Sequence, residues 1–317
     1  MEIIRGIHNL QPRHRGCVAT IGNFDGVHLG HQQVLGQLAI QAGIYGVPTL
    51  VITFEPHPQE YFAPDRTPPR LTRFREKIED LRRYAVERLL CLPFDAEMAS
   101  MTAEDFIERL LVERLGIRYL VIGDDFHFGH ERRGNFAMLQ AAGKAHGFPV
   151  VNLHTFRMED ARVSSTRVRD ALSMGDLGRA SILLGRPYRM VGRVAHGDKR
   201  GRLIGVPTAN LFLHRRATPL SGVYVVEMFG VPGEPQPGVA NIGVRPTVGG
   251  DQALLEVHLL DFSGDIYGCY VEVDFLRKLR DERRFGSFDE LCAQIQTDIT
   301  EARAFFAGLH ENDAVGR

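Results

Sequence analysis

The sequence predicts an α/β domain, doubly wound on a parallel sheet, followed by a small antiparallel β-barrel that a C-terminal helix closes. Two rhythms predict it. From Cys17 to about Phe156 short apolar runs alternate with amphipathic stretches, and after Arg186-Pro187 short segments are separated by Gly and Pro. Strand and helix in alternation give a parallel sheet covered on both faces, while evenly punctuated short strands give a barrel. The length, 317 residues, is about that of two domains, although a single large barrel fits it too. The expected boundary separates 1–186 from 187–317.

In the first half, residues 17–21, 49–54, 88–93, 119–122 and 149–153 read as buried strands. Residues 32–41, 72–84, 102–115 and 135–146 carry apolar residues three and four apart and read as helices, with Thr102 and Asp105 opening the third like a capping box. In the second half, residues 189–195, 222–229, 238–242, 254–262 and 270–275 read as strands, and 288–309 as the closing helix. On a doubly wound sheet, ligands bind outside the carboxyl ends of the strands.

Composition excludes several classes of function. Lys and Arg number 38 against 39 Asp and Glu, a net charge of −1, and the halves are balanced separately, 23 to 22 and 15 to 17. A nucleic-acid binder shows a basic excess and a disordered chain a large net charge, so neither is expected. Only Lys77, Lys144, Lys199 and Lys278 are lysines; the other basic residues are all Arg. No apolar run approaches the ~18 residues a membrane span needs, and the first ten residues carry Glu2 and Arg5 where a leader needs an apolar stretch. A cytoplasmic protein is expected. Cys17, Cys91, Cys269 and Cys292 form no C-x-x-C pair, so they read as small buried apolar residues and not as a zinc or disulfide framework.

The first strand runs into Gly22-Asn23-Phe24-Asp25-Gly26-Val27-His28-Leu29-Gly30-His31 and then a helix. Gly22, Gly26 and Gly30 let the backbone approach a ligand, and the unpaired amides at the helix start favour an anion. This is a phosphate-binding design, with Asp25 in its turn, yet neither G-x-x-x-x-G-K-[ST] nor G-x-G-x-x-G. His28 and His31, three apart, project to one side, where they could donate hydrogen bonds to phosphate oxygens in a transition state. Metal ligation and a purely structural turn are the alternatives. Val163-Ser164-Ser165-Thr166-Arg167-Val168-Arg169 opens the last helical region of this half. Any one hydroxyl there is an ordinary cap, but three followed by two Arg exceed what a cap requires; hydroxyls and guanidinium together suit phosphate.

These motifs resemble the nucleotidyltransferase superfamily. With residues 21–32, Thr53-Phe54-Glu55-Pro56-His57-Pro58 and Gly123-Asp124-Asp125-Phe126-His127-Phe128-Gly129, they resemble the FMN adenylyltransferase half of the prokaryotic bifunctional riboflavin kinase/FAD synthetases. The resemblance implies that an FMN phosphate attacks the α-phosphorus of ATP and pyrophosphate leaves. His28 and His31 would stabilise the crowded phosphorus, Ser165, Thr166 and Arg169 would hold the leaving phosphates, and Asn23, Phe54 and Asp125 would line the flavin side. Two positions depart from the family pattern: His127, where Arg is more usual, and Asn135, where an acid is.

The second half opens with Gly192 to Asn210, in which Gly197, Lys199, Gly201 and Arg202 form a flexible cationic loop suited to polyphosphate. Thr208 and Asn210, two apart in an extended segment, would face the same way as neutral oxygen donors for Mg²⁺. On its own, Pro-Thr-Ala-Asn is more often an ordinary turn. In 254–262, Leu255, Val257 and Leu259 form an apolar face, so Glu256 and His258 share the other. A carboxylate there could take a proton from an attacking hydroxyl, or could simply be solvated. Together with Gly222-Val223-Tyr224, Asn241-Ile242-Gly243-Val244-Arg245-Pro246-Thr247 and Leu279-Arg280-Asp281-Glu282, these residues resemble the riboflavin kinase half of the same family. The resemblance implies that Glu256 deprotonates the riboflavin 5′-hydroxyl, which attacks the γ-phosphorus of MgATP. Thr208 and Asn210 would hold the metal, and Arg280 would lie near the flavin. Val206 stands where the family usually has an aromatic.

The expected partners are therefore riboflavin, FMN, FAD and ATP, with Mg²⁺ as cofactor and ATP as co-substrate, no nucleic acid, no membrane, and at most weak self-association. The rival readings are a single-activity nucleotidyltransferase on another phosphate, and a flavin- or RNA-binding module without catalysis. The set of candidate catalytic residues and the neutral halves favour the bifunctional enzyme.

Overall fold

The structure, a computed structural model, describes residues 1–317 except 124, 125, 154, 155, 159, 160, 197–204, 214, 216, 234, 248, 249, 316 and 317; of 158, 244–247, 250–252 and 310–315 it describes the backbone alone. The chain forms two compact units, one of residues 1–68 and 72–165, the other of 69–71 and 166–317.

In the first unit β1 (Glu2–Arg5), β2 (Val18–Ile21), β3 (Thr49–Glu55), β4 (Arg88–Pro93), β5 (Tyr119–Gly123) and β6 (Val150–Leu153) form one sheet in the order β1-β4-β3-β2-β5-β6. Every pairing is parallel. The chain builds outward from β2 in one direction and then, through β5, in the other, so the switch point lies between β2 and β5, where an open α/β sheet takes its ligand. Strand alternation supplies two cores. Ala19, Ile21, Leu50, Ile52 and Phe54 face one cluster with Phe106, Leu110 and Leu139; Val18 and Val51 face the other with Leu35, Leu38, Ile78 and Leu81. Helices Leu29–Tyr45 and Phe74–Arg83 thus cover one face, and Phe106–Arg114 and Phe136–His146 the other.

Differences from expectation lie mainly at element ends. The edge strand β1 was not expected; four residues with one paired neighbour leave little periodicity to read. The second helix begins at Phe74, not 72, because Thr72 is occupied elsewhere (below). The Thr102 hydroxyl does accept from Asp105 N, at 3.0 Å, but the helix then continues as a π-helical stretch, Phe106–Arg114. Asn135, the departure from the family pattern, is an N-cap whose Oδ1 accepts from Met138 N at 3.1 Å. Near the end of the first unit β7 (Arg157–Met158) pairs antiparallel with β8 (Ala161–Arg162).

In the second unit β9 (Tyr188–Ala195), β10 (Ala209–Phe212), β11 (Gly222–Phe229), β12 (Gln236–Thr247), β13 (Gly250–Leu259) and β14 (Tyr270–Arg280) close into a barrel, β10-β13-β12-β11-β14-β9. All contacts are antiparallel and β9 pairs with both β14 and β10, which removes every sheet edge. β10 falls in the stretch around Asn210 that was expected only to be extended. The terminal helix runs Phe288–Val315 and buries Ala302 against Val225 and Leu260. Among the described residues no helix is long and apolar enough to cross a membrane. Cys17 and Cys91 are buried, but Cys269 and Cys292 are only half-buried.

Candidate active sites

The first site grows from the carboxyl end of β2. Phe24 and Val27 are buried with φ of 49° and 42°, and Gly26 has φ 85°. A β-branched residue with positive φ is strained, and such strain persists only where the surroundings over-determine it. Here the surroundings are identifiable. The buried Asp25 carboxylate accepts from Thr72 N at 2.9 Å and from Thr72 Oγ1 at 3.2 Å, while Thr72 Oγ1 accepts from Gly26 N at 3.0 Å. Asp25 therefore turns inward as a brace. Ser165 Oγ donates to Asp25 O at 2.9 Å, tying the Ser-Ser-Thr segment to the same turn. At Gly30 a Cβ would sit 3.3 Å from the His28 ring and 3.5 Å from Val163 O, so the glycine admits this close approach.

His28 is the N-cap of helix Leu29–Tyr45. Its Nδ1 accepts from His31 N at 3.4 Å, which leaves Nε2 as the proton-bearing donor. The two imidazoles stack, centroids 3.7 Å apart at 16°, and Phe24 lies against His31 at 4.9 Å. Burial holds His31 well below the usual histidine range, and the charges of His28, Lys77 and Arg162 push it the same way. Its buried Nδ1 has no hydrogen-bond partner. Cationic groups with an unsatisfied buried nitrogen at a helix start suit an anionic ligand. Phe54, at the end of β3, is buried and packs edge-on to Phe94, centroids 5.7 Å apart. Gly22 and Asn23 follow β2 directly, both half-buried. Thr166 and Arg169 fall in the second unit, where Arg169 Nε donates to Pro69 O at 2.7 Å. Asp125 lies outside the described residues.

The second site is set by strand register. Asn210 on β10 pairs with Glu256 on β13, and Glu256 pairs on its other side with Asn241 on β12. Residues directly opposite on an antiparallel pair share a face, so Asn210, Glu256 and Asn241 form one row. Leu255 and Val257 are fully buried on the opposite face, as the alternation predicted. Asn210 Nδ2 reaches Thr208 O at 3.4 Å, and His258 Nδ1 meets Pro207 O at 2.9 Å, anchoring the segment that carries Thr208. Oxygen donors from Thr208 and Asn210, beside a carboxylate, fit a hard cation that keeps most of its ligands from phosphate and water; among the described residues no three-carboxylate, His or Cys cage exists. Gly197, Lys199, Gly201 and Arg202 lie outside the described residues. Arg280 is engaged: its Nε and Nη2 donate to the buried Asp298 at 3.0 and 2.8 Å, and its guanidinium lies over Phe285.

Sequence reasoning missed Thr72, Lys77, His57 and Asn241. Asn241 sat in a quoted motif and His57 in another, both without a role. Lys77 carried a signal of its own: with Phe74, Ile78 and Leu81 it occupies the three-four spacing of an apolar stripe, the wrong place for a solvated charge.

Comparison with known proteins gives two family matches: an FAD synthetase model over residues 10–167 and a riboflavin kinase model over 184–306. A curated Pseudomonas fluorescens protein, "Bifunctional riboflavin kinase/FMN adenylyltransferase", is 51% identical over 308 residues, 97% of this chain and 98% of the relative. The Escherichia coli K12 protein of the same description is 50% identical over 96% of this chain and 98% of its own length. Among solved structures, a Streptococcus pneumoniae protein described as a macrolide-efflux protein superposes with a TM-score of 0.79 at 32% identity, covering 96% of this chain and 99% of that one.

Proposed function

This chain belongs to the bifunctional riboflavin kinase/FMN adenylyltransferase family, and from that membership we propose which of its residues run each reaction. The enzyme phosphorylates riboflavin to FMN with ATP and adenylylates FMN to FAD with ATP. We assign the second reaction to residues 1–186, the first to 187–317, and the working location to the cytoplasm.

In adenylyl transfer an FMN phosphate oxygen bonds to the α-phosphorus of ATP and the bond to pyrophosphate breaks. The chain contributes positioning and charge stabilisation. The amides at the start of helix Leu29–Tyr45 and the His28 Nε2 proton face the phosphates, while Gly22, Gly26 and Gly30 admit them. Asp25 works through Thr72, holding the turn. Ser165, Thr166 and Arg169 take the leaving phosphates, and Asn23, Phe54 and Asp125 border the flavin. In the kinase reaction Glu256 accepts the proton of the riboflavin 5′-hydroxyl as its oxygen bonds to the γ-phosphorus of ATP and ADP leaves. Thr208 and Asn210 would hold Mg²⁺, which when bound neutralises phosphate charge. Gly197, Lys199, Gly201 and Arg202 would close over the nucleotide. Arg280, paired to Asp298, supports the flavin side.

The observation that carries this reading is the register that sets Asn210 opposite Glu256 in one half while His28 and His31 stack at the switch point of the other. Incubation with riboflavin, ATP and Mg²⁺, followed by separation of the flavins, tests it. Glu256→Ala should lose FMN formation by at least about 10²-fold while still making FAD from supplied FMN, and His28→Ala should do the reverse. Loss of both activities in either variant would sink the assignment of separate sites.

A further inference from the structure

Gly222 and Gly243 stand on adjacent strands of the barrel, and the segment that follows β14 lies against both. A Cβ on Gly222 of β11, whose φ is 112°, would overlap Arg280 O and lie 3.3 Å from Asp281 Cα. A Cβ on Gly243 of β12 would overlap Glu282 Oε1 and lie 2.8 Å from Glu282 Cδ. The chain therefore leaves β14 across the first glycine and lays the Glu282 carboxylate on the second. Gly243 is two residues from Asn241 on an unbroken register, so it shares the face of the Asn210–Glu256–Asn241 row. It is the diagonal neighbour of Glu256 across β12 and β13, a spacing of about 7–8 Å that long side chains bridge.

Glu282 is exposed and, among the described residues, makes no hydrogen bond or ion pair. Its neighbours do. Lys278 Nζ pairs with Asp281 Oδ1 at 2.5 Å, Arg283 Nη2 donates to Gln294 Oε1 at 2.7 Å, and Arg280 holds Asp298. A carboxylate that leaves Arg280, Arg283 and Arg284 unpaired to it and lies on bare backbone near a second carboxylate is an open hydrogen-bond acceptor. Like charge makes it a poor neighbour for phosphate, so the donor it meets belongs to the neutral substrate.

We propose that Glu282 is a riboflavin-binding residue of the kinase half, its carboxylate accepting hydrogen bonds from the secondary hydroxyls of the ribityl chain and so selecting a polyol side chain. The proposal rests on the assignment of Glu256 to the riboflavin 5′-hydroxyl. With that hydroxyl at Glu256, the remaining ribityl hydroxyls fall along the diagonal to Glu282, whereas the imide N–H of the ring lies at the far end of the flavin. Two ionised oxygens suit neighbouring hydroxyls, which donate in the ground state and the transition state alike; such a contact lowers KM and leaves kcat alone.

A flavin with a 5-hydroxypentyl chain in place of ribityl keeps the attacking hydroxyl and lacks the secondary ones. Phosphorylation of riboflavin and of this analogue by the full chain with MgATP therefore tests the contact. In Glu282→Ala the KM for riboflavin should rise about tenfold or more, with kcat within about twofold of wild type. Glu282→Gln, which keeps one neutral acceptor oxygen, should fall between. The KM for the hydroxypentyl flavin should be the same in all three proteins, and FAD formation from supplied FMN should be unchanged. An unchanged KM for riboflavin overturns the proposal, and so does an equal rise for both flavins, which marks a merely structural role. Full FMN formation by Glu256→Ala would overturn the site assignment instead.

Discussion

At the scale of single residues, the first site depends on one side chain that no motif marks. Thr72 holds Gly26 N and the Asp25 carboxylate at once, and the turn it fastens contains two buried apolar residues with positive φ. Thr72→Val keeps the shape and the backbone bond from residue 72 to Asp25 but removes the hydroxyl that bridges Gly26 N and the Asp25 carboxylate, a cost of roughly 1–3 kcal/mol. The expected outcome is a loss of FAD formation of about tenfold or more with little change in FMN formation, and recovery in Thr72→Ser, measured by flavin separation. Unchanged FAD formation in Thr72→Val would mean that the strained turn holds itself. The same logic explains why Asp25 was legible as a residue of the phosphate turn but not in its role. Its partner lies far along the chain, and sequence spacing carries no trace of that contact.

At the scale of elements, the terminal helix shows how magnitudes rank two similar-looking ion pairs. Asp298 is buried beneath Arg280 of β14, whereas Arg303 reaches Asp261 in solvent. Removing one partner of a buried pair leaves an uncompensated charge and costs roughly 3 kcal/mol, while an exposed pair contributes little. Asp298→Ala should therefore lower the denaturant midpoint of the barrel unit clearly and weaken FMN formation through Arg280, and Arg303→Ala should leave both within error. Equal effects would show that the helix docks by its apolar face alone. Elements were legible in the sequence where periodicity was strong: the strands at 49–54 and 88–93 match to within a residue, and the alternation around Glu256 gave the correct buried face. Short elements were not. β1 and β10, four residues each, are strands because a neighbour pairs with them, a long-range fact absent from local pattern. The π-helical stretch likewise follows from packing, since its residues also suit an α-helix.

At the scale of the whole chain, the boundary at residue 186 marks a change of sequence rhythm, and the compact units divide elsewhere. Helix Leu177–Leu184 packs on β9 and β14 with Leu183 and Leu184 fully buried, so it belongs to the barrel's core. Residues 69–71 join the same unit: Tyr188 OH donates to Leu71 O at 2.8 Å and Arg215 Nη1 to Arg70 O at 3.1 Å. A kinase module cut at 187 loses two buried leucines, each contributing roughly 1.5–3 kcal/mol, and exposes the strand surface they cover. One cut at 166 keeps them but still leaves the Tyr188 hydroxyl and Arg215 without these partners. The expected order of thermal stability is full chain, then 166–317, then 187–317, read by calorimetry on the barrel transition, with FMN formation falling in the same order. If 187–317 melts with the full chain, the preceding helix is only a linker. The order instead expected makes the kinase unit discontinuous in sequence, so its stability depends on a tripeptide contributed from within the adenylyltransferase half.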